Sequence, residues 1–404
     1  MFNLAWRNVW RNRRRSLITM TSMGFGLSAI MFGQSMIKTL QGELVEKATG
    51  SITGHLQIQN RRIKDYKIPD QYIDDPEPVE KALSEEPRIA AFAKRITMTG
   101  LVSSPTGSVG ALICGIEPDK EKEITTMATY ITHGQFLGSS GKDIVMGDKL
   151  AQRLDLRMGE KVVVMAQAVD GSMGAEAFRL IGEFHSGSET FDSQIIYIPL
   201  AATQELLAAG GKISNFVIRA KNLEEVDGIQ QDLGGLLSGQ PVQVLSWKNI
   251  DHEIVGVQKF QNGLLDVVLT VVFMIVALGI LNTLLMSLFE RVREFGVLMA
   301  MGAKPGWVMR LVIIESVSLG AVGTIVGLAI GSLMIAYFGR KGLHLPVGDA
   351  LSYFLPFPST LHLRPAWGSH IFAACSVLFT SLLAAVPPAL RACRLKPAEA
   401  LRHV

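Results

Sequence analysis

Charged side chains are scarce in this 404-residue chain: they make up 19% of it, where a soluble domain carries about a quarter. That shortfall argues against a purely cytosolic enzyme. Cysteine is scarcer still. Cys114, Cys375 and Cys393 are too few and too scattered for a disulfide framework or a zinc cage, and Cys114 is expected to fill a core position. The net charge of +3 is too small for the concentrated basic face of a nucleic-acid binder, so no nucleic-acid partner is expected. Low-complexity runs are absent while hydrophobic residues reach 48%, which excludes a mainly disordered chain. Catalytic signatures are missing too. There is no G-x-x-x-x-G-K-[ST] loop to bind ATP, no H-E-x-x-H, no G-x-S-x-G and no C-x-x-C. The eight histidines are dispersed and read as surface or satisfied structural groups. No catalytic residue, no metal site and no cofactor held by this chain is therefore expected, and the chain is not expected to be an enzyme.

What the sequence does contain is long apolar segments, with a mean hydropathy of +0.29. A spanning helix needs about 20 predominantly apolar residues. Residues 16–37, 262–289, 311–338 and 371–390 meet that requirement. Asp266 lies near the start of the second segment and Glu315 one turn inside the third, where snorkelling or pairing with Arg310 or Arg291 would accommodate them. The fourth is expected to stop at Pro387-Pro388. Residues 16–37 are longer than the apolar core of a cleaved signal peptide and read as an uncleaved anchor. Lys and Arg flank the segments unevenly: Arg7, Arg11 and Arg13–Arg15 precede the first, Arg291, Arg293, Lys304 and Arg310 separate the second and third, and Arg391, Arg394, Lys396 and Arg402 follow the fourth. By the positive-inside rule, segments 1–15, 290–310 and 391–404 are cytoplasmic. The loop 339–370 and the long insert 38–261 then lie outside.

The insert reads as a folded α/β domain. His55–Gln59 alternates as a strand should, and the apolar runs at 161–165 and 177–181 flank Asp170-Gly171 as a hairpin with a long tip at 166–176. Residues 213–219, 222–237 and 241–245 read as strand, helix, strand, and prolines 69, 76 and 78 mark an extended loop before a short helix. From residue 246 to about 292 no proline interrupts a helical spacing, which predicts one long stalk helix continuing into the second span; two helices broken near Gly263 are the alternative. The expected fold is thus an α-helical membrane protein of four transmembrane helices, with a large extracytoplasmic α/β domain inserted between the first and second.

Two short patterns stand out. Gly320, Gly323, Gly327 and Gly331 share one face of the third span and permit close helix packing. Between spans two and three, Phe295, Leu298, Met299 and Met301 give an apolar face, Glu290, Arg291, Arg293 and Glu294 a polar one, Gly302 a C-cap and Pro305 the start of the next helix. This predicts a short amphipathic helix at the cytoplasmic surface, over 290–301.

That segment resembles the hallmark of the FtsX-like permease family of ABC transporters, close to E-R-x-x-E-[IFV]-G-x-[LM]-x-A-[LM]-G-A. Glu290, Arg291, Glu294, Phe295, Gly296, Leu298, Ala300, Met301, Gly302 and Ala303 match in register. Glu315 with Leu319-Gly320 resembles the family's E-x-x-x-L-G. The tail 395–401 resembles its L-x-P-x-E-A-L, and the basic opening 4–15 is common there too. The resemblance implies a dimeric permease of the bacterial inner membrane, with both termini cytoplasmic, that works by mechanotransmission. Glu290, Arg291, Arg293, Glu294, Phe295, Gly296, Leu298 and Met299 would couple to a partner ATPase of the LolD type, which alone binds ATP and Mg²⁺. The second permease would be an identical chain or a paralogue.

Within the family, the runs 114–120, 133–137, 143–151 and 156–162 are similar in order to the lipoprotein-releasing permeases LolC and LolE, and residues 1–15 leave no room for the fused ATPase of the MacB exporters. That branch implies extraction of lipoproteins from the outer leaflet to a periplasmic carrier. The carrier would be gripped at the hairpin tip Val169, Asp170, Gly171, Ser172, Met173 and Gly174, and acyl chains sheltered, amid membrane lipids, by Met20, Met23, Phe25, Met31, Phe32 and Met36 of span one. The alternatives are MacB-type efflux of amphiphiles or antibiotics with an adaptor, and FtsX-type regulation of a cell-wall hydrolase.

Overall fold

The computed structural model describes residues 1–62, 72–138, 141–344 and 360–394. They form two compact units, one of residues 42–256 and one of residues 1–41, 257–344 and 360–394. In chain order the helices are α1 (Phe2–Arg11), α2 (Arg13–Ala48), α3 (Glu77–Glu85), α4 (Pro118–Ile124), α5 (Asp148–Arg153), α6 (Glu189–Asp192), α7 (Leu200–Leu206), α8 (Val226–Leu236), α9 (Trp247–Ile250), α10 (His252–Glu290), α11 (Val292–Ala300), α12 (Pro305–Lys341) and α13 (Trp367–Cys393). The strands are β1 (Leu56–Asn60), β2 (Ile89–Ser103), β3 (Ser108–Ile116), β4 (Ile131–Gly134), β5 (Asp143–Gly147), β6 (Lys161–Gln167), β7 (Met173–Phe184), β8 (Ile195–Pro199), β9 (Asn215–Ala220) and β10 (Val242–Ser246).

The unit of residues 42–256 is built on one mixed sheet ordered β10-β1-β9-β2-β3-β8-β5-β7-β4, with β6 pairing both β2 and β7. β2 is the joint. Its first half, Ile89–Arg95, pairs with β9, while Leu101–Ser103 pairs with β6. The second pairing closes β2, β3, β8, β5, β7 and β6 into a ring. Gly100 permits the closure, because a Cβ there would stand 2.6 Å from the Met165 carbonyl oxygen. In β6 the period of two puts Val162, Val164 and Ala166 inward while Val163 and Gln167 stay exposed. These inward residues join Ile113, Ile144, Phe178, Leu180, Ile196 and Ile198 in one core. The open half of the sheet is covered by α3 and α8, whose Leu83, Ile229 and Leu233 pack with Leu56, Ile58, Phe216 and Ile218.

The other unit is helical. Among the described residues, four helical stretches are long and apolar enough to cross a membrane: Arg13–Ser51, His252–Glu290, Pro305–Lys341 and Trp367–Cys393. Glycine fixes the packing of α2 on α12. A Cβ on Gly327 would stand 2.8 Å from Leu27 Cβ and 2.9 Å from the Gly24 carbonyl oxygen, and one on Gly323 2.9 Å from Met23 Cβ. Gly331 stands against Met31 in the same way, and Gly320 against Ser381 of α13. Inter-helix hydrogen bonds add Thr19 Oγ1 to Thr283 Oγ1 at 2.8 Å, Ser35 Oγ to His370 Nε2 at 2.9 Å and Ser316 Oγ to the Ser381 carbonyl at 2.8 Å.

Several boundaries differ from the sequence reading. The long helix is interrupted at Asp251, not Gly263: Ser246 and Asn249 cap the start of α9, Asp251 leaves helical geometry with ψ 68° and closes it after one turn, and α10 then runs unbroken through Gly263. The last helix passes through Pro387 and Pro388 to Cys393. Two prolines remove two intrahelical donors, but Ala385, Ala389 and Ala392 bury the turns around them, and that packing outweighs the missing bonds. The short amphipathic helix begins at Val292 rather than Glu290, which ends α10. The hairpin tip shrinks to residues 168–172, since the β6–β7 ladder continues to Gln167 opposite Met173. The tail pattern 395–401 and Pro69 lie outside the described residues.

Candidate functional site

The E-R-x-x-E pattern sits where α10 gives way to α11. Arg291 leaves helical geometry, with φ −118° and ψ 11°, and turns the chain. Gly302 ends the segment with φ 99°, a conformation that suits a residue without Cβ, and its N–H and that of Ala303 close back on the Met299 and Leu298 carbonyls. Pro305 then opens α12 at its first turn.

Glu290, Arg291 and Glu294 of this turn are engaged within the helical unit. Glu290 accepts from Arg15 Nη2 and from Asn12 Nδ2, both at 2.8 Å. Glu294 accepts from Arg11 Nη1 at 2.9 Å and from Arg291 Nε at 3.0 Å. Burial alone would raise the Glu294 carboxyl, but the bonds from Arg291 and Arg11 outweigh it and hold it below the ordinary carboxylate range. Arg291 is the hub. Its guanidinium also reaches Glu315 of α12 at 3.3 Å and lies 4.9 Å over the Phe295 ring. Glu315 therefore pairs with Arg291 and not with Arg310, and it is buried instead of snorkelling.

Below this polar layer Phe295, buried, packs in a cluster with Ala5, Leu288, Val308, Leu311, Val312, Ala389 and Ala392, so five helices contribute to one core. Gly296 is buried, and Leu298 and Met299 are half-buried against the same cluster. Arg293 faces outward with Val297 and Met301. Met301, expected on the apolar face, is 73% exposed because it lies beyond the last helical turn. The basic N-terminal residues Arg11 and Arg15 read in the sequence only as orientation signals. Their role as partners of Glu290 and Glu294 depends on contacts across more than 270 positions.

The six residues assigned to an acyl cavity do not share a surface. Met20, Met23 and Met31 are buried, Met23 and Met31 directly on the glycine face of α12, and Phe32 stacks edge-on against Phe338. Small glycines draw these side chains inward. Met36 is half-buried, and Phe25 stays 64% exposed. A groove of about 620 Å³ does lie between α2 and α10, lined by Ile18, Thr19, Ser22, Val276 and Met286 and, of the six, by Met23.

The hairpin tip is compact. Asp170 Oδ1 accepts from the Ser172 N–H and hydroxyl, Gly171 takes φ 85°, and the Val169 N–H bonds to the Leu207 carbonyl. Val169 packs on the ring core and Gly174 stands against Leu206, leaving Asp170 to Met173 exposed.

Comparison with known proteins agrees with this anatomy. The MacB-like periplasmic core domain model matches residues 16–236, more than half of the chain, and the FtsX-like permease C-terminal model matches residues 267–397. The chain is 22% identical to the lipoprotein-releasing system transmembrane protein LolC of Neisseria meningitidis serogroup B, over 100% of each chain. It is 21% identical to LolE of Haemophilus influenzae, over 99% of this chain and 98% of that one. With the macrolide export ATP-binding/permease protein MacB of Rhodospirillum rubrum it shares 29% identity, over 51% of this chain and 30% of that one. This chain is a member of the FtsX-like, MacB-type family of ABC transporter permeases, with the family's periplasmic core domain inserted between its first and second apolar helices.

Proposed function

We propose that this permease takes lipoproteins from the outer leaflet of the inner membrane to a periplasmic carrier, driven by ATP hydrolysis in a separate LolD-like ATPase. The observation that carries the reading is the cluster around Arg291 in a chain similar along its whole length to LolC and LolE. α11 and the residue after it offer Arg293, Val297 and Met301 outward, while Phe295 and Glu294 of α11, with Arg291 and Glu290 at its junction with α10, tie this segment to α1, α2, α10 and α12. A push on its outer face would thus move the ends of four helices together. α10, unbroken over 39 residues and about 58 Å long at 1.5 Å per residue, is a rod suited to passing that motion outward. The unequal Lys and Arg distribution favours cytoplasmic termini and a cytoplasmic α11.

Extracting three acyl chains costs about 0.8 kcal/mol per CH₂, tens of kcal/mol in all. Driven work and a new apolar shelter are both needed. Exposed Phe25 and Ile18 on α2, with Val268, Val271 and Ile275 on α10, supply apolar surface for that shelter once a second permease closes over them. Asp170 to Met173 at the hairpin tip are what this chain offers a carrier.

Mass spectrometry of the complex purified with its ATPase, without nucleotide, tests the reading. Acylated lipoproteins should co-elute and should leave when ATP and a carrier are added. A complex holding only small amphiphiles would favour MacB-type efflux, and an empty one mechanical regulation of the FtsX type.

A further inference from the structure

We propose that Asp148, His185 and Asp192 form a binding site for a divalent transition-metal ion of the Zn²⁺ type in the sheet domain. The three residues stand at the start of α5, just beyond β7 and at the end of α6, separated by 37 and 7 positions, so no motif spacing announces them. The fold brings them together through Gly147: a Cβ there would collide with the Asp192 backbone, so only glycine lets α6 lie against the β5–α5 junction.

The three donor atoms all lie within 4.8 Å of one another. His185 Nδ1 lies 3.1 Å from Asp148 Oδ2 and 3.2 Å from Asp192 Oδ2. Metal bonds of about 2.0–2.2 Å in a tetrahedral site place neighbouring ligand atoms about 3.3–3.5 Å apart, close to the separations found. One imidazole nitrogen carries a single proton or a single lone pair and cannot satisfy both carboxylates. The shortfall is visible. Asp192 is fully buried, and its Oδ2 accepts no hydrogen bond; Asp148 Oδ1 is likewise buried and without a donor. Buried polar atoms are nearly always partnered, and a cation between the three groups would supply the partner that Asp192 Oδ2 lacks.

The surroundings fit a ligand shell. The other oxygen of Asp192 accepts from the Ser186 N–H at 2.9 Å and the Ser186 hydroxyl at 2.6 Å, which fixes the carboxylate with Oδ2 turned toward His185. His185 is half-exposed, leaving an entry path and room for a water as fourth ligand. One nitrogen and two oxygens suit a borderline ion such as Zn²⁺ better than Ca²⁺ or Mg²⁺, which demand six or more oxygens. A bound ion would clip α5, α6 and the end of β7 together.

The test uses the full chain in detergent micelles, stripped with a chelator and titrated with Zn²⁺ by calorimetry, with metal content counted by mass spectrometry. One tight equivalent per chain and a higher Tm in Zn²⁺ than in chelator are expected. His185→Ala, at a half-exposed position, and Asp148→Asn should each weaken binding about tenfold or more, while His133→Ala should leave it unchanged. Asp192→Asn should abolish the equivalent; if that buried variant misfolds, the other two still decide. Unchanged affinity in His185→Ala and Asp148→Asn would overturn the site, as would no retained Zn²⁺ or a preference for Ca²⁺ or Mg²⁺.

Discussion

The Arg291 guanidinium lies 3.3 Å from the Glu315 carboxylate, with both side chains less than a tenth exposed. Removing one partner of a buried pair strands the other charge and costs about 3–5 kcal/mol. Arg291→Met should therefore lower thermal stability sharply, whereas Glu315→Gln, which keeps an acceptor, should cost less. The double variant Arg291→Met/Glu315→Leu should recover much of the loss. Unfolding of the detergent-solubilised chain checks this, and a double variant no better than Arg291→Met would show the pair to be unimportant.

Glu290 and Glu294 differ from that pair in being only partly buried, each bridged to an N-terminal arginine. Such bridges contribute roughly 1 kcal/mol or less to stability. Glu290→Lys/Glu294→Lys should leave the fold intact yet uncouple ATP hydrolysis from transport, because the end of α10 loses its tie to Arg15 and α11 its tie to Arg11. Adding Arg11→Glu and Arg15→Glu should restore part of the coupling. Normal hydrolysis and normal transport in the first variant would remove α11 from the coupling path.

Gly327 faces Leu27 Cβ at 2.8 Å and the Gly24 carbonyl oxygen at 2.9 Å from the place its own Cβ would occupy, whereas Gly263 has nothing within 4 Å. Gly327→Leu must push α2 and α12 apart and should collapse the yield of folded protein in membranes. Gly263→Ala, in an equally helical setting, should be neutral or slightly stabilising. Equal yields from the two would mean that the glycine face does not fix the packing.

How much of this was legible beforehand depends on the range of the interactions. The four apolar runs, Gly302 as a left-handed terminus, Pro305 as a helix start and the glycine face of the third span are local patterns, and each has its structural counterpart. The ring of strands was not legible, since β2 pairs with β6 some 60 positions away and with β9 across 120 or more. The facing of the methionines of span one was not legible for a similar reason. Their number is written in the sequence, but the direction each faces is set by the glycines of another helix. Arg11 and Arg15 were visible as charges, and only folding shows which acids they meet.

His55 is buried in the sheet domain and its Nδ1 accepts the Ala220 N–H at 3.1 Å. Burial first, then the nearby Arg219 charge, lowers its pKa below 6.5, with Glu46 opposing. A histidine that resists protonation when folded stabilises fully above its unfolded value, and that stability is lost as pH falls from 6.5 toward the folded pKa. His55→Asn keeps an acceptor for Ala220 but does not titrate there. Its Tm should fall less steeply between pH 6.5 and 5 than that of the native chain, and identical slopes would show His55 to be silent.

Arg95 and Glu121 form a second buried pair, inside the sheet domain, where Arg95 is the largest fully buried side chain among the described residues. Thr125 also donates to Glu121 at 2.8 Å, so the carboxylate is held by two groups. Cys114 lies in the same interior, and burial pushes its thiol up to about 12, opposed by Arg95. Two consequences can be measured on one preparation. Cys114 should resist alkylation at neutral pH, since only the thiolate reacts. Glu121→Ala should cost about 3–5 kcal/mol by stranding the guanidinium and should bring Cys114 within reach of the reagent, because the core around it opens. Restoring the acceptor with Glu121→Gln should recover part of both. If Cys114 labels readily in the native chain, the interior is open to solvent and the pair is not buried as described. If Glu121→Ala melts like the native chain, the guanidinium finds another partner and the pair is not what holds this core together.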